Sequence, residues 1–204
     1  MIYRRQISGI TRKHLRKKGK RFLHTRWNKG KFEDAVHISK RSKKANDRTE
    51  IGHWEIDSVV SSQSKRRLGT FVDRKTRYVI ISLLENGTSD EFNYGATKKF
   101  LYIPKYKRKS FTSDNGSEFA EHIELRQILE LKTYFTDKHS PWQKPTNENT
   151  NGLIREFYPK KFDFSTITQE DVDKVAELIN NRPRKCLGWL TSSEVFNKPS
   201  RMIS

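Results

Sequence analysis

Hydrophobic positions in this chain fall into short runs, and the runs become regular only from residue 52 onward. "HWEIDSVV" (53–60) ends in β-branched residues and reads as a strand. "LGTFVDR" (68–74) and "RYVIISLL" (77–84) are two further strands. The short Lys75-Thr76 connection predicts a hairpin turn, so three antiparallel strands follow in order. "TSDEFNYGATKKFL" (88–101) opens on capping residues and spaces Phe92, Ala96, Phe100 and Leu101 as a helix does. "KSFTS" (109–113) is a strand that runs into the turn Asp114-Asn115-Gly116. "SEFAEHIELRQILEL" (117–131) predicts an amphipathic helix with acids in its first turn, and "KTYFT" (132–136) a fifth strand. Helices over "NENTNGLIREFY" (147–158) and "TQEDVDKVAELINNRP" (168–183) complete the pattern. Three meander strands followed by alternating strands and helices predict an α/β fold, one mixed five-stranded sheet flanked by helices.

That order directs attention to three acids. Asp57 lies on the first strand and Asp114 just past the fourth. If those strands are parallel neighbours, carboxylates with 56 residues between them meet at one sheet edge. Glu148 opens a late helix behind the Pro-rich "SPWQKPT", flanked by Asn147 and Asn149, with Asn151 beyond. Asparagines hydrogen-bond without adding charge, so they shape a site and do not compete for a cation. Three convergent carboxylates suit two hard divalent cations, Mg²⁺ or Mn²⁺, with substrate phosphates as further ligands. Other acids compete for this role. Glu55 shares a strand face with Asp57. Asp73 ends a strand beside Arg74 and Arg77, which would explain it as an ion pair. Glu118 sits in a first helical turn, where the helix dipole alone accounts for an acid.

Charge supplies the partner. The formal net charge is +18, with 33% hydrophobic and 32% charged residues. Residues 1–50 hold 17 Lys/Arg and 4 Asp/Glu, and the other 154 hold 25 and 20. The chain therefore reads as a basic arm and linker over 1–50, partly disordered, and a nearly balanced domain over 51–204. Such an arm seeks polyanions, nucleic acid first. A membrane surface fits less well, because the arm lacks a broad apolar helical face. No apolar run approaches the roughly 20 residues of a membrane span. The single cysteine, Cys186, excludes an internal disulfide and a Cys-rich zinc site, and fits a cytoplasmic location.

Five stretches together carry a family resemblance: "IGHWEIDSVV", "TFVDRKTRY", "FTSDNGSEFAEH", "SPWQKPTNENTNGLIREFYPK" and "LINNRPRKCLGWLTSSEVF". In order and spacing, from about residue 36 to 197, they resemble the catalytic domain of the insertion-sequence-30 family of DDE transposases. The 33 residues between Asp114 and Glu148 match that family's spacing. The resemblance implies a ribonuclease H-like fold, the integrase/transposase catalytic core. It implies Asp57, Asp114 and Glu148 as catalytic, metal-binding residues for two Mg²⁺ or Mn²⁺ ions. It implies cleavage at transposon ends to expose 3′-hydroxyls, then their attack on target DNA, in a homo-oligomeric synaptic complex associated with the nucleoid. Asn115, Gly116 and Asn147 would shape the site, and His53 and Trp54 would serve the core or the DNA backbone. Lys144, Arg155 and Lys160 near the site, and Arg16, Lys17, Lys18, Lys20 and Arg21 on the arm, are the candidate DNA contacts.

The chain departs from the family in two places. Position 56 is Ile where the family usually has Gly. Residues 1–23 resemble the basic linker that follows the family's helix-turn-helix region, so the reader of the inverted repeats is expected to be missing. The alternative to an active enzyme is therefore a non-catalytic DNA-binding or inhibitory fragment.

Overall fold

Strand β1 (His53–Val60) is the middle strand of the sheet. It pairs antiparallel with β2 (Arg67–Asp73) and parallel with β4 (Ser110–Ser113). β3 (Val79–Leu84) and β5 (Lys132–Phe135) complete a mixed sheet in the order β3-β2-β1-β4-β5. The computed structural model describes residues 35–138 and 140–198. The expected antiparallel meander and the parallel β1–β4 pair are both present.

Alternation along the strands builds two cores. Trp54, Ile56 and Phe71 point to one face, under α2 (Ser89–Phe100) and α3 (His122–Leu129). Val59, Leu68, Val72 and Ile81 point to the other, under α4 (Pro145–Phe157) and α5 (Gln169–Asn180). Ile56 is buried in the first core, which explains how an isoleucine is accommodated there. Trp54 is fully buried and donates its indole N–H to the Lys107 carbonyl at 2.8 Å, a core role. His53 is buried too, between Ser110 Oγ and Glu50.

The helices begin where the chemistry allows. Thr88 caps α2 by accepting from the Glu91 N–H, and a Thr168/Asp171 capping box starts α5. The helix expected over 117–131 instead starts at His122, after a 3-10 turn over Ser117–Phe119. That turn frees Glu118 to reach Ser58. α5 ends short of the expected 183, and its last residue is Asn180, whose side chain is turned toward β3. It pairs with both the N–H and the C=O of Val79, at 2.8 Å each. Gln169 does the same for Leu83 N–H and Ile81 C=O, so the edge of β3 is covered.

Residues 37–50 differ from the linker expected there. They form a 3-10 turn (Ile38–Lys40) and the short helix α1 (Lys43–Asn46), packed on the sheet. Ala45 is fully buried, and Arg74 donates to the Ala45 carbonyl at 2.9 Å. His37 bridges to Phe135 beside the edge strand β5. Mostly exposed lysines hide this anchoring in the sequence. A final helix, α6 (Ser192–Asn197), was not expected; its Phe196 is buried and stacks on Tyr78 at 4.2 Å.

Candidate active site

Two parallel neighbours, β1 and β4, present Asp57 and Asp114 at one end of the sheet. A single ammonium shows how close they come. Lys144 Nζ lies 2.9 Å from Asp114 Oδ2 and 3.6 Å from Asp57 Oδ1, and donates to the Ile56 carbonyl at 3.2 Å. Burial raises the Asp57 pKa, the Lys144 charge opposes that shift, and the Asp114 charge adds to it. Asp114 Oδ1 accepts the Gly116 N–H at 3.0 Å, and Asn115 ties the same turn to the Thr136 carbonyl at 2.8 Å.

Helix α4 is laid along β1 by residues four apart. The Asn147 N–H donates to Glu55 Oε2 at 2.9 Å. Asn151 Nδ2 donates to Asp57 Oδ2 at 3.1 Å, and Arg155 donates to the Val60 carbonyl at 2.6 Å. Of the amides around Glu148, the Asn151 side chain fastens the helix to the strand; Asn147 does so through its backbone N–H, and its buried side-chain amide has no hydrogen-bond partner among the described residues. Glu148 lies one residue off the stripe, exposed in the first turn. Among the described residues no hydrogen bond or ion pair engages its carboxylate. A cleft of about 650 Å³ is lined by Asp57, Asp114, Glu148, Lys144, Asn151 and Glu118, among others.

The competing acids are accounted for by their partners. Glu55 is fully buried and shares Asp57's strand face, but it pairs with Arg74 and caps α4. Asp73 does not pair with Arg74 or Arg77 as expected. It accepts from Thr76 N–H and Oγ1 and from Gly52 N–H, each at 2.8 Å, closing its own hairpin. Glu118 is the acid that sequence reasoning undervalued. It accepts from Ser58 Oγ at 2.6 Å and lies 4.0 Å from Arg67, on the cleft wall. Asp90, Glu121 and Glu124 form another acidic group, on the α2–α3 side, with oxygens within 4.8 Å of one another. Asp57, Asp114 and Glu148 are set more openly around their cleft.

The candidate DNA contacts are placed unequally. Lys144 is buried and turned into the cleft. Arg155 is committed to the carbonyls of Val60, Tyr158 and Pro159. Lys160 is exposed. Arg16, Lys17, Lys18, Lys20 and Arg21 lie outside the described residues. Cys186 is exposed. No described helix is long and apolar enough to cross a membrane.

Comparison with known proteins agrees with this architecture. The integrase core domain family matches residues 47–141. The transposase InsI of insertion sequence element IS30A from Escherichia coli (strain K12) is 41% identical over 202 residues, covering 97% of this chain and 51% of that protein. The transposase for IS4351 of Bacteroides fragilis is 35% identical over 195 residues, covering 93% of this chain and 59% of its own. A chain of the simian T-cell lymphotropic virus intasome, solved with PP2A regulatory subunit B56 gamma, shares the fold at 17% identity. Its TM-score is 0.59, over 74% of this chain and 56% of that one. This chain carries an integrase core domain with a ribonuclease H-like fold and belongs with the insertion-sequence-30 family transposases, of whose length it spans about half.

Proposed function

We propose that this chain is a metal-dependent DNA strand transferase core, with Asp57, Asp114 and Glu148 as the carboxylates that hold its divalent ions. The observation that carries this reading is the meeting of Asp57 and Asp114 around one cationic group, in a cleft that Glu148 also lines. The donor set fits Mg²⁺ or Mn²⁺: all three offer hard oxygens, and an ammonium already stands between two of them. Ions bound there would activate an attacking oxygen and stabilise a leaving one at a phosphodiester.

The protein's own part is preorganisation. The Ser58 N–H, at 2.9 Å, and Asn151 hold the Asp57 carboxylate from two sides. Gly116 N–H fixes Asp114 through the turn after β4. Glu55 sets the start of α4 and so the position of Glu148. The substrate in this reading is DNA, as transposon ends and target. Lys160 and the arm residues Arg16, Lys17, Lys18, Lys20 and Arg21 contact its phosphates, so affinity falls steeply with salt. Synapsis of two ends calls for a homo-oligomer.

Nicking of supercoiled plasmid at low salt, with Mg²⁺ or Mn²⁺, tests the reading. Asp57→Asn and Glu148→Gln are expected to retain DNA binding and lose nicking by about a hundredfold or more, as when a group stabilising the transition state is removed. DNA binding without nicking above the level of these variants would support the non-catalytic fragment instead.

A further inference from the structure

Lys144 holds an unusual position for a lysine. Its side chain is only 7% exposed, in a chain whose lysines are mostly at the surface. Its ammonium has the carboxylates of Asp57 and Asp114 and the Ile56 carbonyl as neighbours, an oxygen-lined setting like that of a bound cation. We infer that Lys144 is a built-in counter-cation of the Asp57–Asp114 pair, which divalent ions must displace in order to load. This inference rests on the reading of Asp57 and Asp114 as metal ligands.

The backbone allows such an exchange. Lys144 is the N-cap residue of α4, and its carbonyl accepts the Glu148 N–H at 3.2 Å. Its own N–H donates to the Pro141 carbonyl at 2.9 Å. The main chain is thus pinned at both ends of the residue, while the charge rides on a flexible four-carbon stem. Arg155 shows the contrast: its guanidinium is held by three backbone carbonyls and is not free to leave. An ammonium and a divalent ion cannot share the space between the same two oxygens without strong repulsion. Lysine therefore offers what a permanent structural arginine would not, a charge that neutralises the pair and can step aside. The same residue caps the helix that carries Glu148, so release of its side chain need not move the third carboxylate.

The test is Mn²⁺ titration of the whole chain by calorimetry, with thermal unfolding alongside, for wild type, Lys144→Met, Lys144→Arg and Asp114→Asn. Without divalent ions, Lys144→Met is expected to unfold at a lower temperature than wild type, because it leaves two carboxylates uncompensated. It is expected to bind Mn²⁺ about tenfold or more tighter, since no internal cation competes. Mn²⁺ should then raise its unfolding temperature by more than it raises that of wild type, and Lys144→Arg should gain no affinity. If Lys144→Met does not fold, Lys144→Gln provides the same comparison. Equal or weaker Mn²⁺ binding by the neutral variant, with binding abolished in Asp114→Asn, would overturn the inference and leave the metal reading standing. No Mn²⁺ binding that depends on Asp114 in any variant would overturn both.

Discussion

The Asn147 N–H of α4 donates to Glu55 Oε2 at 2.9 Å, 92 residues away in sequence. Helix α4 lacks a side-chain cap of its own, and Glu55 supplies one from β1. Glu55 is fully buried and its other oxygen pairs with Arg74. Breaking such a buried pair from one side costs about 3–5 kcal/mol. Glu55→Gln is therefore expected to lower stability by roughly that amount in urea unfolding. The double change with Arg74→Met should cost less than the sum of the two single changes, because neither charge is then left alone. Additive losses would show that the pair is not coupled.

Asn151 joins Asp57 to β2, donating to the carboxylate while its carbonyl oxygen accepts from Thr70 Oγ1 at 3.2 Å. Asn151→Ala should cost about 2 kcal/mol of stability, since it removes two hydrogen bonds usually worth about 1 kcal/mol or more each. Asn151→Asp sets a second negative charge against Asp57, so it should reduce nicking more than the alanine variant does. Plasmid nicking and urea unfolding on both variants separate the two effects.

Gly52 has φ +100°, and a Cβ there would meet the Lys107 carbonyl carbon at 2.9 Å. Its N–H binds Asp73, and its carbonyl accepts from Lys109 and Ser110. Gly52→Ala should therefore destabilise by about 2 kcal/mol or more, combining a strained φ with a backbone clash. A measured loss below half of that would mean the loop relaxes freely.

Acid should unfold the domain through Glu50 and His53. The hydrogen bond from Lys109, with a smaller contribution from His53, holds the Glu50 pKa at about 2, below its ordinary 4.5. A depressed acid stabilises the fold above its unfolded pKa, and that stability is lost as pH falls from 4.5 toward about 2. Burial holds the His53 pKa below the usual imidazole value, so the unfolded chain takes up this proton first. His53 weakens the fold as pH drops below neutral, and Glu50 adds to this as pH drops below 4.5. Urea midpoints across this range should fall, and Glu50→Gln should flatten the part below 4.5. An unchanged slope in that variant would remove Glu50 from the account.

Much of this was legible in the sequence, for identifiable reasons. The strand runs are β-branched and bounded by turns, so β1, β2, β3 and β5 lie within two residues of the expected limits, as does β4. The placement of Asp57 and Asp114 follows from strand order alone. What stayed hidden depends on tertiary contacts. Glu55 and Asp57 look equivalent on their strand until Arg74 and the start of α4 claim one of them. Lys144 reads as a surface cation until the fold turns it between two acids. Residues 37–50 read as linker because their one deeply buried apolar side chain, Ala45, is small. Glu118 was assigned to a helix dipole, but its turn is 3-10 and its carboxylate faces Ser58.

If Asp57, Asp114 and Glu148 hold the metal ions of the proposed strand transfer, changing the softness of one ligand must change which ion supports nicking. Asp114→Cys replaces a hard oxygen with a thiolate, which Mg²⁺ binds poorly and softer ions accept. Plasmid nicking by this variant should be lost with Mg²⁺ and partly restored with Mn²⁺, while wild type is expected to nick with either ion. Undiminished nicking by Asp114→Cys with Mg²⁺ would contradict the account.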